Sequence, residues 1–231
     1  VDSNFDLDNL KDNLIDSFTS SILEVKKIKN ENWNALWESS FDPIVVSNAC
    51  CVRAPFHSLD KSYDFDVIIS PKMSFGTGHH ATTFLMLKKI LSFTLNSKSI
   101  LDVGSGTGVL SILSEKMGAS KVMALDIDPN AYENSLENIR LNNCSHISVV
   151  CGDVFNIDDA NFDFLFANIN KNVLLKEIEV YTKFLKKEGL LVLSGFFDSD
   201  FDSINQQALA SNLILKSQDS KNTWQCVVYR K

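Results

Sequence analysis

The stretch SILDVGSGTGVL, residues 99–110, decides the fold class, because a strand, a glycine-rich turn and a helix follow one another within it. Residues 99–103 have the pattern of a strand, and residues 107–117 have helical spacing. Gly104, Gly106 and Gly108 let the backbone turn tightly and approach a ligand closely. The helix N-terminus that follows favours an anionic group. The stretch therefore predicts a ligand site at the tip of a strand.

The rest of the chain alternates between strands and helices. Strand patterns occupy residues 121–127, 147–152, 162–169, 189–196, 213–218 and 224–230, and helical patterns occupy 129–141, 173–185 and 204–210. Strands of continuous apolar residues between helices predict a mainly parallel sheet that is covered on both faces. The last two strands are close enough in sequence to pair antiparallel. The predicted fold is α/β, with the seven-stranded, mainly parallel sheet of Rossmann-like methyltransferases.

Two ligand classes fit the glycine-rich turn. A dinucleotide favours the pattern G-x-G-x-x-G, whose third glycine would fall at Val109. The actual pattern, D-x-G-x-G-x-G from Asp102, suits S-adenosylmethionine, whose methionyl end carries a carboxylate and an ammonium group. Backbone N–H groups can serve the carboxylate, and Asp102 can serve the ammonium, directly or through water. A turn without a ligand is the alternative.

Two acidic residues follow the next two strands. Asp126 ends the second strand, where a carboxylate can accept both ribose hydroxyls of an adenosine. Asp128 is interpreted instead as the N-cap of the helix that begins at Pro129. Asp153 follows the third strand, where it either bonds the adenine amino group or lies in a solvated loop.

Asn168 ends the fourth strand within the sequence FANIN. Ligands of doubly wound sheets lie outside the carboxyl ends of the strands, so Asn168 lies where a reactive methyl group is expected. Its carbonyl oxygen can accept a hydrogen bond from an amine and orient the nitrogen lone pair. Capping of the next helix is the alternative for Asn168, and a loop or cap role is preferred for Asn170 and Asn172.

The segment PKMSFGTGHHATT, residues 71–83, is a glycine-rich loop that leads into a helix. Such a loop, with Thr82 and Thr83 at the helix start, could close over a cofactor. The two adjacent histidines point in different directions and make a poor metal pair. We therefore expect no metal.

Composition excludes several classes of protein. The 22 basic and 29 acidic residues give a formal charge of −7, which disfavours direct nucleic-acid binding. No apolar run is long enough for a membrane span, and the first residues do not form a signal peptide. Five cysteines without C-x-x-C spacing predict reduced thiols in a cytoplasmic protein.

The N-terminal third has a different organisation. Residues 7–18 have helical spacing and residues 21–28 alternate as a strand. Trp33 and Trp37, one helical turn apart, predict a short linker helix, and residues 41–71 have strand-like patterns. We expect a remnant of an α/β domain at 1–30, a linker helix and strands at 31–70, and the main domain at 71–231.

From about Asn32 to the C-terminus the chain resembles the PrmA family, the methyltransferases of large-subunit ribosomal protein L11. The resemblance is carried by the segments WNALWESSFDP, PKMSFGTGHHATT, LDVGSGTGVLSI, ALDIDPNAYENSLEN, LFANIN and LLVLSGF. The glycine-rich motif alone indicates only a methyltransferase. Its combination with FGTGxHxTT and ANI is much more specific.

This resemblance implies a fold, a cofactor and a substrate. It implies that S-adenosylmethionine is bound by Thr83, Gly104, Asp126 and Asn168, and the FGTG loop adds Phe75 and Gly76. It also implies that lysine and N-terminal amines of the ribosomal protein are methylated, and that residues 1–30 are the end of a truncated substrate-recognition domain. The alternatives are an N-methyltransferase for another protein, a small amine or a nucleobase, a cofactor-binding ribosome-assembly factor without activity, and a nicotinamide dehydrogenase. The sequence ANIN lacks the prolines and the aromatic residue that are usual in nucleobase methyltransferases, which disfavours a nucleobase.

Overall fold

A computed structural model of the chain describes residues 42–70, 78–158 and 161–231. The contacts group Phe41–Lys231 as one compact unit. The remnant domain expected at 1–30, the helix around Trp33 and Trp37, and the contacts expected from Phe75 and Gly76 lie outside the described residues. They stay predictions.

The described residues form a small sheet, a large sheet and five α-helices. The small sheet contains β1 (Ile44–Val46), β2 (Cys50–Arg53) and β3 (Phe65–Ile68). The large sheet contains β4 (Ser99–Val103), β5 (Lys121–Asp126), β6 (Ile147–Cys151), β7 (Phe162–Asn168), β8 (Leu185–Phe197), β9 (Ile214–Lys221) and β10 (Trp224–Arg230). The helices are α1 (Ala81–Ile90), α2 (Val109–Lys116), α3 (Pro129–Leu141), α4 (Lys171–Phe184) and α5 (Phe201–Ala210). Within the described ranges, none of them has both the length and the apolar character that a membrane span requires.

The large sheet has the strand order β6-β5-β4-β7-β8-β10-β9. β10 pairs antiparallel with both β8 and β9, and the other pairs are parallel. The predicted seven-stranded, mainly parallel sheet is therefore confirmed, together with the antiparallel pairing of its last two strands. The chain order reverses at β4, which lies between β5 and β7, and such a switch point opens a crevice at the carboxyl ends of the strands.

Each face of the large sheet is covered by its own apolar layer. One layer contains Ile100 with residues of α1, α2 and α3. The other contains the neighbouring Leu101 with residues of α4 and α5. Because consecutive side chains of a strand point to opposite faces, a strand buried on both sides needs apolar residues in succession. This accounts for the continuous apolar runs in the sequence.

Local signals set most element ends, and several ends differ from expectation, among them those of α2 and β8. Asp128 caps α3 as predicted, since its Oδ1 accepts a hydrogen bond from the N–H of Asn130 at 2.9 Å. α2 begins at Val109 rather than 107, because Gly108 takes a left-handed conformation with φ of 77°. β8 begins at Leu185 rather than 189, because Leu185 already pairs with Phe162 before an irregularity in the register.

Asn138 of α3 and Asn142, the C-cap residue of that helix, bind the backbone at and just after the end of β3 as a neighbouring strand would. Asn142 accepts from the N–H of Ile68 at 2.9 Å and donates to its carbonyl oxygen at 2.6 Å. Asn138 accepts from the N–H of Ser70 at 2.8 Å and donates to the carbonyl oxygen of Thr107 at 2.9 Å. One helix therefore fixes both the small sheet and the glycine-rich turn.

Candidate active site

A cavity of about 460 Å³ opens at the carboxyl ends of β4, β5, β6 and β7. Its walls come from the residues that follow these strands, among them Gly104, Gly106, Asp126, Asp153 and Asn168. This volume lies within the range of small-molecule sites. Four segments that are distant in sequence meet here because parallel strands end at the same edge of a sheet.

The Asp126 carboxylate ties the glycine-rich turn to the next strand. Its Oδ2 accepts from the N–H of Gly106 at 2.8 Å, and its Oδ1 accepts from the N–H of Asp128 at 3.0 Å. Gly104 donates its N–H to the carbonyl oxygen of Leu125 at 2.8 Å. The amides of Gly104 and Gly106 are thus already bonded within the chain. What the two glycines provide is a turn with positive φ and a wall without side chains.

Asn168 presents one buried oxygen that has no hydrogen-bond partner among the described residues. Its Nδ2 donates to Oγ1 of Thr83 at 3.3 Å, and Thr83 is almost fully buried in the first turn of α1. This bond fixes which end of the amide faces α1, so Oδ1 is left as the acceptor. A buried acceptor without a partner is costly, which indicates that a ligand completes it.

A profile of the family described as ribosomal protein L11 methyltransferase (PrmA) matches residues 3–231. The chain belongs to this family. A ribosomal protein L11 methyltransferase from Porphyromonas gingivalis is 44% identical over 195 residues, which are 84% of this chain and 67% of that protein. The protein of the same name from Bacteroides thetaiotaomicron is 37% identical over 203 residues, 87% of this chain and 72% of its own length.

The fold of this methyltransferase also matches a solved structure. The crystal structure of a ribosomal protein L11 methylase from Lactobacillus delbrueckii subsp. bulgaricus has a TM-score of 0.76 and 24% identity, and the match covers 83% of this chain and 98% of that one. The expected family and the expected Rossmann-like methyltransferase fold are both confirmed.

S-adenosylmethionine is the cofactor of this family of methyltransferases, as the sequence predicts. The residues at the cavity fit that group. The cofactor brings hydrogen-bond donors in its ribose hydroxyls, and Asp126 and Asn168 bring acceptor oxygens to the cavity wall. The individual contacts of Thr83, Gly104, Gly106, Asp126 and Asn168 with the cofactor stay predictions.

Asp102 of the methyltransferase lies behind the glycine-rich turn and is fully buried rather than on the cavity wall. Its Oδ2 accepts from the hydroxyl of Ser111 at 2.7 Å, and its Oδ1 has no partner among the described residues. Burial above all raises the pKa of Asp102 to about 7, and the charge of Asp126 adds to this rise. A cationic ammonium, reached through water, would favour the ionised form. The role of Asp102 towards that ammonium stays a prediction.

We expect Asp102→Asn to stabilise the cofactor-free methyltransferase at alkaline pH. A carboxyl whose pKa is raised on folding holds its proton in the native state, so the free energy of unfolding falls as the pH rises from about 4 to about 7. With the pKa of Asp102 at about 7, three pKa units correspond to at most about 4 kcal/mol above pH 7. The gain shrinks to about 1–2 kcal/mol at pH 5. Urea unfolding at pH 5 and pH 8 measures it.

Asp163→Asn is the matched control with the opposite sign. Partial burial raises the pKa of Asp163, but hydrogen bonds from Lys186 and Ser99 outweigh this and hold it well below its usual range. A carboxylate with a lowered pKa stabilises the native state at neutral pH, so this variant is expected to lose stability at pH 8. An equal gain for Asp102→Asn at both pH values would contradict ionisation as the cause.

Asp153 lines the cavity, as its position after β6 predicts. Its Oδ1 accepts from the N–H of Phe155 at 2.9 Å and so supports the turn that begins the 3-10 helix Val154–Asn156. A bond from Asp153 to the adenine amino group stays a prediction. Asn170 caps α4 by accepting from the N–H of Val173 at 3.2 Å, and this preferred cap role is confirmed.

Sequence reasoning missed Ile169, which holds the neighbouring Asn168 in place. A Cβ atom on Gly104 would lie 2.3 Å from Cγ2 of Ile169, and one on Gly195 would lie 2.2 Å from its carbonyl oxygen. Ile169 is therefore enclosed between the glycine-rich turn and β8. The available signal was Gly195 itself, because a glycine inside a strand often marks a close backbone approach.

Glu177 of α4 is a second residue that the sequence did not indicate. It lines the cavity two turns from the start of the helix. The hydroxyl of the fully buried Tyr181 donates to its Oε2 at 2.7 Å. Burial first, and then Glu177, raises the pKa of Tyr181, so this hydroxyl remains a donor. No sequence motif marks such a residue, because only tertiary packing brings α4 to the cavity.

No group of three or more potential metal ligands occurs among the described residues. His80 has a structural role, because it is the N-cap residue of α1 and its Nδ1 lies 2.8 Å from Oγ1 of Thr82.

Proposed function

We propose that this chain transfers a methyl group from S-adenosylmethionine to amine nitrogens of ribosomal protein L11, namely lysine side chains and the N-terminal amine. Family membership supports the reaction type and the substrate class. The observation that carries the assignment is the unpartnered Asn168 oxygen at the end of β7, beside the glycine-rich turn. An acceptor placed there suits a nucleophile that carries N–H groups.

Each part of the cavity has a separate task in this proposal. Bound S-adenosylmethionine supplies a methyl group on a positively charged sulfur, which is already activated for transfer. The Asp126 carboxylate accepts the ribose hydroxyls on the lone pairs that its two backbone bonds leave open. Ile127 is 75% exposed on the cavity wall and offers an apolar surface to the adenine ring.

The catalytic task of the chain is mainly positioning. Asn168 Oδ1 accepts an N–H of the substrate amine and directs the nitrogen lone pair towards the methyl group, which lowers the entropic cost of the encounter. The amine must be neutral to react. We assign its proton to solvent, because desolvation lowers the pKa of an amine and the substrate enters a partly closed cavity.

The partner of the chain in this proposal is a ribosomal protein, and nucleic acid is not bound directly. The formal charge of −7 complements a basic partner. We place the reaction in the cytoplasm, where ribosomal proteins are made. Residues 1–30 are assigned to a substrate-recognition domain.

Mass spectrometry of ribosomal protein L11 after incubation with the chain and S-adenosylmethionine tests this function. We expect added methyl groups on lysine side chains or on the N-terminal amine, and none after incubation with the Asp126→Ala variant. Calorimetry with S-adenosylhomocysteine and with NAD runs in parallel. Cofactor binding without methyl transfer would indicate an assembly factor, and binding of NAD alone would indicate a dehydrogenase.

A further inference from the structure

The strand order of the large sheet places β4, β5 and β6 on one side of Asn168, which ends β7, and β8, β10 and β9 on the other side. The cavity takes its walls from residues that follow β4, β5, β6 and β7. β8 and β10 lie on the other side of β7 and contribute no residue to the cavity wall among the described residues. With the cofactor on one side and Asn168 at the boundary, an amine that attacks in line must arrive from the side of β8 and β10.

That side carries a group of three rings in contact, formed by Phe197, Trp224 and His80. Phe197 ends β8 and pairs in register with Trp224, which begins β10. Their ring centroids are 4.0 Å apart with planes tilted by 32°. The ring of His80 meets Trp224 edge-on at 4.7 Å. His80 caps the same helix whose first turn holds Thr83, the partner of Asn168.

Phe197 of this group faces solvent. It is 43% exposed, although Trp224 supports one side of its ring. An exposed large aromatic ring that is stacked in a fixed orientation offers a face to a ligand. The negative face of an aromatic ring attracts cations, and it also packs well against a hydrocarbon chain.

Charges near Phe197 also favour a cationic ligand. Three carboxylates follow it, at Asp198, Asp200 and Asp202. Lys171 is paired with Asp200 at 2.7 Å. Lys221 is held over the ring of Phe84, with 3.4 Å from Nζ to the ring centroid. Both lysines are therefore bound within the chain. Asp200 is paired with one of them, and the negative charges of Asp198 and Asp202 complement a positively charged side chain.

We propose that Phe197, supported by Trp224, forms the wall of the subsite that holds the lysine side chain or N-terminal amine to be methylated. This inference rests on the proposed function. The aliphatic stem packs on the exposed ring, and the ammonium group lies against the ring face and the carboxylates until it loses its proton. A methylated amine has fewer N–H groups for Asn168, but it keeps its attraction to the ring. The subsite therefore retains partly methylated substrate.

Steady-state kinetics with ribosomal protein L11 test this subsite through two Phe197 variants. Phe197→Leu keeps apolar bulk without the ring, and we expect it to raise the KM for ribosomal protein L11 about three- to five-fold. Its KM for S-adenosylmethionine is expected to stay within two-fold, since the cofactor binds on the other side of β7. Phe197→Tyr restores the ring and is expected to match the wild type.

Leu209→Ala is the matched control, because Leu209 is an exposed apolar residue near the far end of α5. It is expected to leave both KM values unchanged. An unchanged KM for ribosomal protein L11 in Phe197→Leu would overturn the proposal, and so would an equal rise in Phe197→Tyr.

A second experiment measures ligand binding at the subsite in the absence of ribosomal protein L11. The chain is labelled with 5-fluorotryptophan, saturated with S-adenosylhomocysteine and titrated with trimethyllysine amide while its ¹⁹F spectrum is recorded. The Trp224 signal is assigned by its loss in Trp224→Phe, and Trp33 and Trp37 serve as internal references. We expect trimethyllysine to shift the Trp224 signal in the wild type and in Phe197→Tyr, but much less in Phe197→Leu.

The neutral carbon isostere of trimethyllysine separates cation binding from apolar contact, and it is expected to give a smaller shift. Absence of any trimethyllysine shift, or an equal shift with the neutral isostere, would overturn the subsite. A positive titration together with no methylation of ribosomal protein L11 would instead refute the proposed function and leave the subsite standing. The two failures are therefore distinguishable.

Discussion

Asn168→Ala is expected to lower turnover by about 100-fold or more while cofactor affinity changes by only a modest factor. Removal of one preorganised hydrogen-bonding group from an active site commonly costs two to three orders of magnitude in kcat. The buried Oδ1 of Asn168 has no other partner among the described residues, so no described neighbour takes over its task. Methyl transfer to ribosomal protein L11 with labelled cofactor measures turnover, and calorimetry with S-adenosylhomocysteine measures affinity.

Thr83 variants show whether the orientation of the Asn168 amide matters. Thr83→Val keeps the volume but removes the hydroxyl that accepts from Nδ2 of Asn168. We expect kcat to fall about five- to ten-fold in Thr83→Val, as for the loss of roughly one hydrogen bond, and to be restored in Thr83→Ser. Asn172→Ala, an exposed asparagine in the first turn of α4, is the control. Unchanged turnover in Asn168→Ala would show that the positioning role is wrong.

Gly195→Ala is expected to destabilise the protein by about 4 kcal/mol. Gly195 has φ of 95°, a conformation that costs a residue with a side chain about 1–2 kcal/mol. The new Cβ would also lie 2.2 Å from the carbonyl oxygen of Ile169 and 2.8 Å from its nitrogen. Backbone atoms cannot move aside as a flexible side chain can, and overpacking adds roughly 1–3 kcal/mol. Urea unfolding with a shared m-value measures the loss.

Gly118→Ala separates the two causes of this loss. Gly118 has nearly the same φ, 94°, but its nearest neighbour would be the end of the Asn96 side chain at 2.9 Å. The nearest backbone atom, Cα of Asn96, would lie at 3.3 Å, so Gly118→Ala should lose mainly the conformational part, about 1–2 kcal/mol. Equal destabilisation of the two variants would show that the contact with Ile169 adds nothing. Because Asn168 precedes Ile169, folded Gly195→Ala protein is also expected to lose turnover.

The fold could be predicted from the sequence because the patterns that indicate its strands and helices each extend over only a few residues. Apolar runs between helical patterns predict a doubly covered parallel sheet, and its described strands follow that pattern. The convergence of Gly104, Asp126 and Asn168 was also predictable, since each lies at or just after the carboxyl end of a parallel strand of the same sheet.

The contacts that support the site were not predictable, because they depend on packing between distant segments. Asn168 and Thr83 are separated by 85 positions, and no motif specifies that their side chains bond to each other. Glu177 reaches the cavity only because α4 packs beside β7. Asp102 faces α2 rather than the cavity, and a motif pattern does not distinguish these two orientations.

The asparagine pair on α3 has a consequence for recombination between family members. Three of its hydrogen bonds go to backbone atoms of Ile68 and Ser70, so the side chains of residues 65–70 can vary without loss of those bonds. In a chimera, the segment before residue 71 would come from another family member. Such a chimera keeps these hydrogen bonds if the rest of the chain retains Asn138 and Asn142. Whether the exchanged segment fits is therefore determined by the two asparagines of the retained part of the chain rather than by the side chains of the exchanged strand.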